Sequence, residues 1–139
     1  MRMRVNQLAN SLDVTADTVR FYTREGFLHP ERCARNGYKE YSEIDRKRLR
    51  FILSARQLGF SVADIAHILE EADRGKSPCP VARRLIEQRL EEVESRFMDM
   101  LALRDRMKSA IVDWDRKPDR APTGDMVCHL IEQFSGNAL

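Results

Sequence analysis

Apolar positions fall into a helical rhythm almost from the first residue. Val5, Leu8, Ala9 and Leu12 recur at spacings of three and four, the mark of one buried helix face. Thr15 predicts the N-cap of a second helix running to about Glu25, stopped by Gly26, which suits a left-handed C-terminal turn. Asp13-Val14-Thr15 joins the two. Val19 and Phe21 are expected to face or flank the core, leaving Arg20 and Tyr22 on the other side. Between Pro30 and Tyr41 the pattern changes. Asn36-Gly37 is a strong hairpin signal, and Tyr38 and Tyr41 favour strand, so a two-stranded wing carrying Arg32, Arg35 and Lys39 is predicted.

Helical spacing then returns. Ser42 resembles a cap followed by acids, and Leu49, Ile52, Leu53 and Leu58 form a stripe that ends at Gly59. Ser61 caps the next helix, with Ile65, Ile68 and Leu69 facing the core. Gly75-Lys-Ser-Pro-Cys-Pro80 is a break. Beyond it Ile86, Leu90, Val93, Phe97, Met100, Arg104, Met107, Ile111 and Trp114 alternate by four and three, apolar at all but Arg104. Such a stripe over four heptads calls for a partner helix, and no other segment is long enough to cover it. The pattern therefore predicts a homodimer. The long helix is expected to end near Arg116, with a loop over residues 117–124 and a last short helix from about Asp125 to Phe134.

Composition adds little until it is read by position. The net charge is +2 over 139 residues, but residues 1–58 hold twelve Lys/Arg against seven Asp/Glu, and residues 59–139 hold twelve against fifteen. A basic first half on an acidic second half suits a DNA-contacting head on a solvated scaffold. With no apolar run of spanning length and no secretory leader, the expectation is a cytoplasmic protein without a membrane partner. Its three cysteines are then expected to be thiols, available as ligands or redox groups.

The first two helices read as a helix-turn-helix: one braces while the next offers Thr15, Thr18, Arg20 and Tyr22 to double-stranded DNA. Arginine at position 20 suits a guanine edge or a phosphate. Tyrosines such as Tyr22 and Tyr38 often serve a core and a wet surface at once.

Three motifs, Thr15-Ala-Asp-Thr-Val-Arg-Phe-Tyr22, Asn36-Gly-Tyr-Lys-Glu-Tyr41 and Arg56-Gln-Leu-Gly-Phe-Ser61, stand in an order and spacing that resemble the MerR family of transcriptional regulators, over essentially the whole chain. The resemblance implies a mainly α fold: a winged helix-turn-helix head (residues 1–75), a linker and dimerisation helix forming an antiparallel coiled coil (76–116), and an effector loop with a short helix (117–139). It implies DNA contacts from Arg20 and Tyr22 and, on the wing, from Arg35, Tyr38 and Lys39. It also implies activation at a promoter whose elements are spaced too far apart, which the dimer distorts on effector binding until RNA polymerase engages both.

A large drug-sensing domain of the kind some members carry is not expected in these 139 residues, and four clustered cysteines for an iron–sulfur cluster are not among them, so the resemblance implies the metal-sensing branch. By that resemblance Cys79 of one protomer meets the tail of the other. Cysteine at this position, where copper sensors usually carry serine, implies a divalent ion: zinc, cadmium, lead, mercury or cobalt. The chain departs from the pattern at Asp113-Trp-Asp115, where such sensors commonly have a cysteine. Cys79 with Cys128, His129 and Asp115 or Asp113 would be a mixed sulfur, nitrogen and oxygen set, which favours zinc over mercury or lead.

Other readings stay open. Cys128 could be a small buried hydrophobe, and His129 a donor to a ligand of the metal, a ligand to a second ion, or plain surface. Cys33, among basic wing residues, is not expected to ligate, and His29 and His67 are read as structural. An alternative regulator of the same fold would use Cys79 and Cys128 as a thiol switch responding to oxidants or electrophiles. An enzyme built on Cys128 and His129 is disfavoured, because adjacent helical residues diverge by about 100° and no oxyanion-type glycine loop accompanies them.

Overall fold

Helix α1 (Val5–Ser11) buries Leu8 and Ala9 and ends in a Schellman turn. Val14 N–H donates to the Ala9 carbonyl at 3.0 Å and Asp13 N–H to that of Asn10 at 3.3 Å. Asp13 takes the left-handed conformation this turn needs, with φ 57°, which aspartate tolerates better than most side chains. The structure, a computed structural model, describes residues 2–134. The first residue of the expected head and residues 135–139 of the expected effector segment lie outside the described residues.

Helix α2 (Ala16–Arg24) starts as expected on Thr15, whose Oγ1 accepts from Thr18 N–H at 3.1 Å. Its inner face differs from expectation: Val19 and Tyr22 are buried, whereas Phe21 is 37% exposed. Tyr22 lies one turn on from Val19 and shares its face, while Phe21, two residues on, is about 200° round the helix. The Tyr22 ring stacks on Phe27, centroids 6.1 Å apart.

The wing pairs β1 (Glu31–Arg32) with β2 (Lys39–Glu40), antiparallel, Glu31 opposite Glu40 and Arg32 opposite Lys39. Its loop is longer than the two-residue turn that Asn-Gly suggests. Gly37 has positive φ (74°) but Asn36 does not, and the closing pair is Cys33 N–H to the Tyr38 carbonyl at 2.8 Å. Asn36 Oδ1 instead accepts from Tyr38 N–H at 3.0 Å. Met3 and Tyr41 exchange hydrogen bonds of 2.8 and 2.7 Å, sewing the chain's start to the wing.

Helices α3 (Glu43–Gln57) and α4 (Val62–Asp73) begin at Ser42 and Ser61, each in a capping box closed by a buried aspartate, Asp45 and Asp64. Leu49, Ile52, Ile65, Ile68 and Leu69 fill the core. Leu58, expected in that stripe, is the α3 C-cap and exposed.

Helix α5 (Cys79–Trp114) runs for 36 residues, about 54 Å at 1.5 Å per residue. The chain divides into two compact units, the first running to Arg89 and the second starting at Leu90. The first takes in the beginning of α5, beyond the boundary at residue 75: Leu85 is buried, and Val81, Ala82 and Ile86 pack against the head core. Arg89 Nε lies 3.1 Å from Asp64 Oδ2.

The second unit holds the rest of α5, a loop, and α6 (His129–Glu132), shorter than the expected 125–134. Its start is set by Glu132, whose Oε2 accepts from Val127 N–H at 2.9 Å and Cys128 N–H at 2.7 Å. Trp114 secures this segment, donating from Nε1 to the Leu130 carbonyl at 3.0 Å and meeting Phe134 edge-on. Among the described residues no helix is long and apolar enough to cross a membrane.

Candidate nucleic-acid interface and effector residues

Helices α1 and α2 and the wing enclose an open groove of about 610 Å³. Its walls include Arg4, Arg20, Arg24, Arg32 and Lys39, with no acidic residue among them. Tyr38 stands 58% exposed at the wing, and the Arg4 guanidinium lies 4.7 Å from its ring centroid, a cation–π contact that orients both groups. Arg32 Nη1 donates to the Gly37 carbonyl at 2.9 Å and braces the wing loop. Concentrated cations around a concave surface suit a phosphate backbone.

The predicted DNA-contacting residues divide on this geometry. Arg20, Tyr38 and Lys39 line the groove. Arg20 pairs with Asp17 at 3.0 Å, but both are exposed and water screens such a pair, so the guanidinium remains available. Thr15 and Thr18 sit at the start of α2 with their hydroxyls 2.8 Å apart, and Arg35 is exposed on the wing loop. Tyr22 has its ring in the core, on the side of α2 that carries Val19. Sequence reasoning missed Arg4 and Arg24. Arg24 follows Arg20 by one turn, a visible signal; Arg4 reaches the site only through the fold.

The residues expected to bind the effector fall in both units. Cys79 is exposed at the first turn of α5, where its N–H donates to Ser77 Oγ at 3.3 Å. Cys128 is half-buried at the N-cap of α6. His129 is 3% exposed, with Nε2 2.9 Å from the Pro118 carbonyl. A carbonyl only accepts, so Nε2 carries the proton and Nδ1 alone keeps a lone pair for a metal. Asp115 is exposed, and Asp113 holds Lys117 at 3.1 Å. Among the described residues of one chain, no three His, Cys, Asp or Glu side chains converge as a metal-holding group.

A winged helix-turn-helix presenting a cation-lined groove defines a DNA-binding regulator. The MerR HTH family regulatory protein model matches residues 3–72, and the MerR DNA-binding model matches residues 46–110. The chain belongs to the MerR family of transcriptional regulators. It is 35% identical over 101 residues to the HTH-type transcriptional regulator ZntR of Escherichia coli K12, covering 72% of each chain. It is 29% identical over 136 residues to the mercuric resistance operon regulatory protein of Pseudomonas fluorescens, covering 98% of this chain and 90% of that one. Among solved structures, the transcription regulator PbrR691 of Ralstonia metallidurans CH34 in complex with lead(II) matches with TM-score 0.72 at 24% identity, over 94% of this chain and 98% of that one. That likeness shows the same fold.

Proposed function

We propose that this chain is a metal-responsive transcriptional regulator that binds promoter DNA as a homodimer. On binding a divalent ion, zinc first among the candidates, it distorts the promoter so that RNA polymerase engages both elements. The observation that carries the DNA half is the groove walled by five cationic side chains and no acidic one. Arg20 reads a base edge or grips a phosphate from α2; Arg35, Tyr38 and Lys39 hold the backbone from the wing, with Thr15 and Thr18 at the start of α2. Tyr22 supports α2 from beneath.

Dimerisation is supported by the exposure of Leu90, Val93, Phe97, Met100, Met107 and Ile111 along α5, a run at seam spacing that a second copy would bury. In an antiparallel pair Cys79 of one subunit faces the tail of the other. The donor chemistry fits zinc: two thiols, with Asp115 and His129 through Nδ1 as further donors. When bound, the ion would supply a cross-subunit clamp whose formation depends on thiol deprotonation. Descriptions of the relatives as ZntR and as a mercuric resistance regulator support a metal effector of this kind.

The test uses mixed dimers. Cys79→Ser and Cys128→Ser should each abolish zinc-dependent activation while operator binding and dimerisation persist. A dimer with Cys79→Ser in one subunit and Cys128→Ser in the other should keep one complete site and bind one ion. No ion there, with one ion when both changes share a chain, overturns the cross-subunit reading.

A further inference from the structure

Arg48 does not line the cationic groove, yet it makes three hydrogen bonds that join parts of the head distant in sequence. Its Nε donates to the Phe27 carbonyl at 2.6 Å. Its Nη1 and Nη2 donate to Asp73 Oδ1 and Oδ2 at 2.9 and 3.0 Å, the parallel fork in which guanidinium and carboxylate fit best. The Arg48 side chain is only 18% exposed, so its position is set by packing as well as by charge.

Each end of this bridge matters. Phe27 closes the turn that ends α2, its N–H donating to the Tyr22 carbonyl at 3.0 Å, and its ring stacks on Tyr22. Holding the Phe27 carbonyl therefore fixes the C-terminal end of the helix that carries Arg20 and Arg24. Asp73 is the last residue of α4, directly before the break that leads to Cys79 and α5. At its other end α4 is held by Arg89 of α5 on Asp64. One arginine thus ties α4 to α5, and another ties α4 to the end of α2.

We propose that Arg48 is a positioning residue for DNA reading, which locks the end of α2 to α4 and so sets the angle at which α2 presents Arg20 to the groove. Arg48 touches no DNA in this scheme: it is not among the groove's lining residues. Removing its donors should therefore disturb the reading of sequence and spare the general attraction to phosphates. The inference rests on the DNA-binding reading above.

The experiment uses full-length protein and a duplex that the wild type selects from a random pool, with a random duplex as reference. Arg48→Met keeps the stem and removes the donors; it should lower affinity for the selected duplex about tenfold and change affinity for random duplex less than twofold. Asp73→Asn, which weakens the pair at its half-exposed end and costs the fold at most about 1 kcal/mol, should lose about threefold on the selected duplex only. Asp73→Glu, which keeps the carboxylate, should restore wild-type selectivity. Wild-type selectivity in both Arg48→Met and Asp73→Asn overturns the proposal. So does an equal loss on selected and random duplexes, which marks a general structural defect. Failure of the wild type to select any duplex would sink the DNA-binding reading itself and this inference with it, a result distinct from both.

Discussion

In the head, apolar side chains have partners within the chain and helix starts have caps: Leu8, Val19, Leu49, Ile52 and Ile65 are sealed together, and Thr15, Ser42 and Ser61 satisfy the first turns of α2, α3 and α4. Beyond Arg89, α5 does the reverse. Phe97 is 61% exposed and Met100 64%, on a helix whose period is as regular as any in the head. The contrast separates two uses of one pattern. A helical stripe that meets a second element of its own chain becomes core; one that outruns every other element stays exposed, and in α5 it is the proposed seam. Even within α5 both uses occur, since Ile86 packs on the head and Trp114 secures α6, leaving the middle of the stripe uncovered.

The largest effect should come from breaking that uncovered stretch. Phe97→Asp places a carboxylate in the proposed seam from both subunits, where an uncompensated neutral polar group already costs on the order of 2–7 kcal/mol and a charged one more. Sedimentation should show monomer at concentrations where the wild type is a dimer, with the head's helical content preserved. An intact dimer would move the seam elsewhere.

A smaller effect is expected at the groove, where two arginines one turn apart should behave differently. Arg20→Ala should cost about 1–3 kcal/mol of operator affinity if its guanidinium reads a base edge. Arg24→Ala should weaken operator and random DNA alike and lower the salt slope by about one, as for a lost phosphate contact. Melting temperature should be unchanged in both, since neither side chain belongs to the core. Equal, sequence-independent losses would make both arginines backbone contacts.

Much of this was legible from local chemistry. The caps at Thr15, Ser42 and Ser61 follow from a short polar side chain set before an apolar period, and the structure has each of them. The wing's existence followed from Asn36-Gly37, but its loop did not, because only Gly37 needs a left-handed backbone. Phe21 and Tyr22 exchange their expected faces because, at about 100° per residue, Tyr22 and not Phe21 returns to the side of Val19. The α6 boundary depends on Glu132 reaching back to two N–H groups, a tertiary detail within a turn. Arg4 meets Tyr38 across 34 positions and Arg48 meets Asp73 across 25, and no spacing rule announces such pairs. For the effector residues the sequence offered residue types and an order. A histidine whose Nε2 is committed to a backbone carbonyl is information that only the fold supplies.

The smallest effect concerns the fastening of the head, and it carries its own pH signature. The Arg48 guanidinium, by its hydrogen bonds and then by its charge, holds the Asp73 carboxyl below the usual aspartate range, outweighing the opposing effect of burial. A carboxyl whose folded pKa is depressed contributes stability that is fully present above its unfolded value, about 3.9, and is lost as pH falls through the lower folded value. Asp73→Asn removes that contribution at every pH. The variant should therefore melt below the wild type at pH 7, by at most about 1 kcal/mol because the carboxylate is half exposed and screened. The difference should shrink as pH drops beneath about 4. Thermal scans at fixed protein concentration from pH 7 to pH 3 measure it. A gap that stays constant across that range would mean that the amide loses packing or shape rather than charge, and that the ion pair contributes nothing to holding α4 against α3.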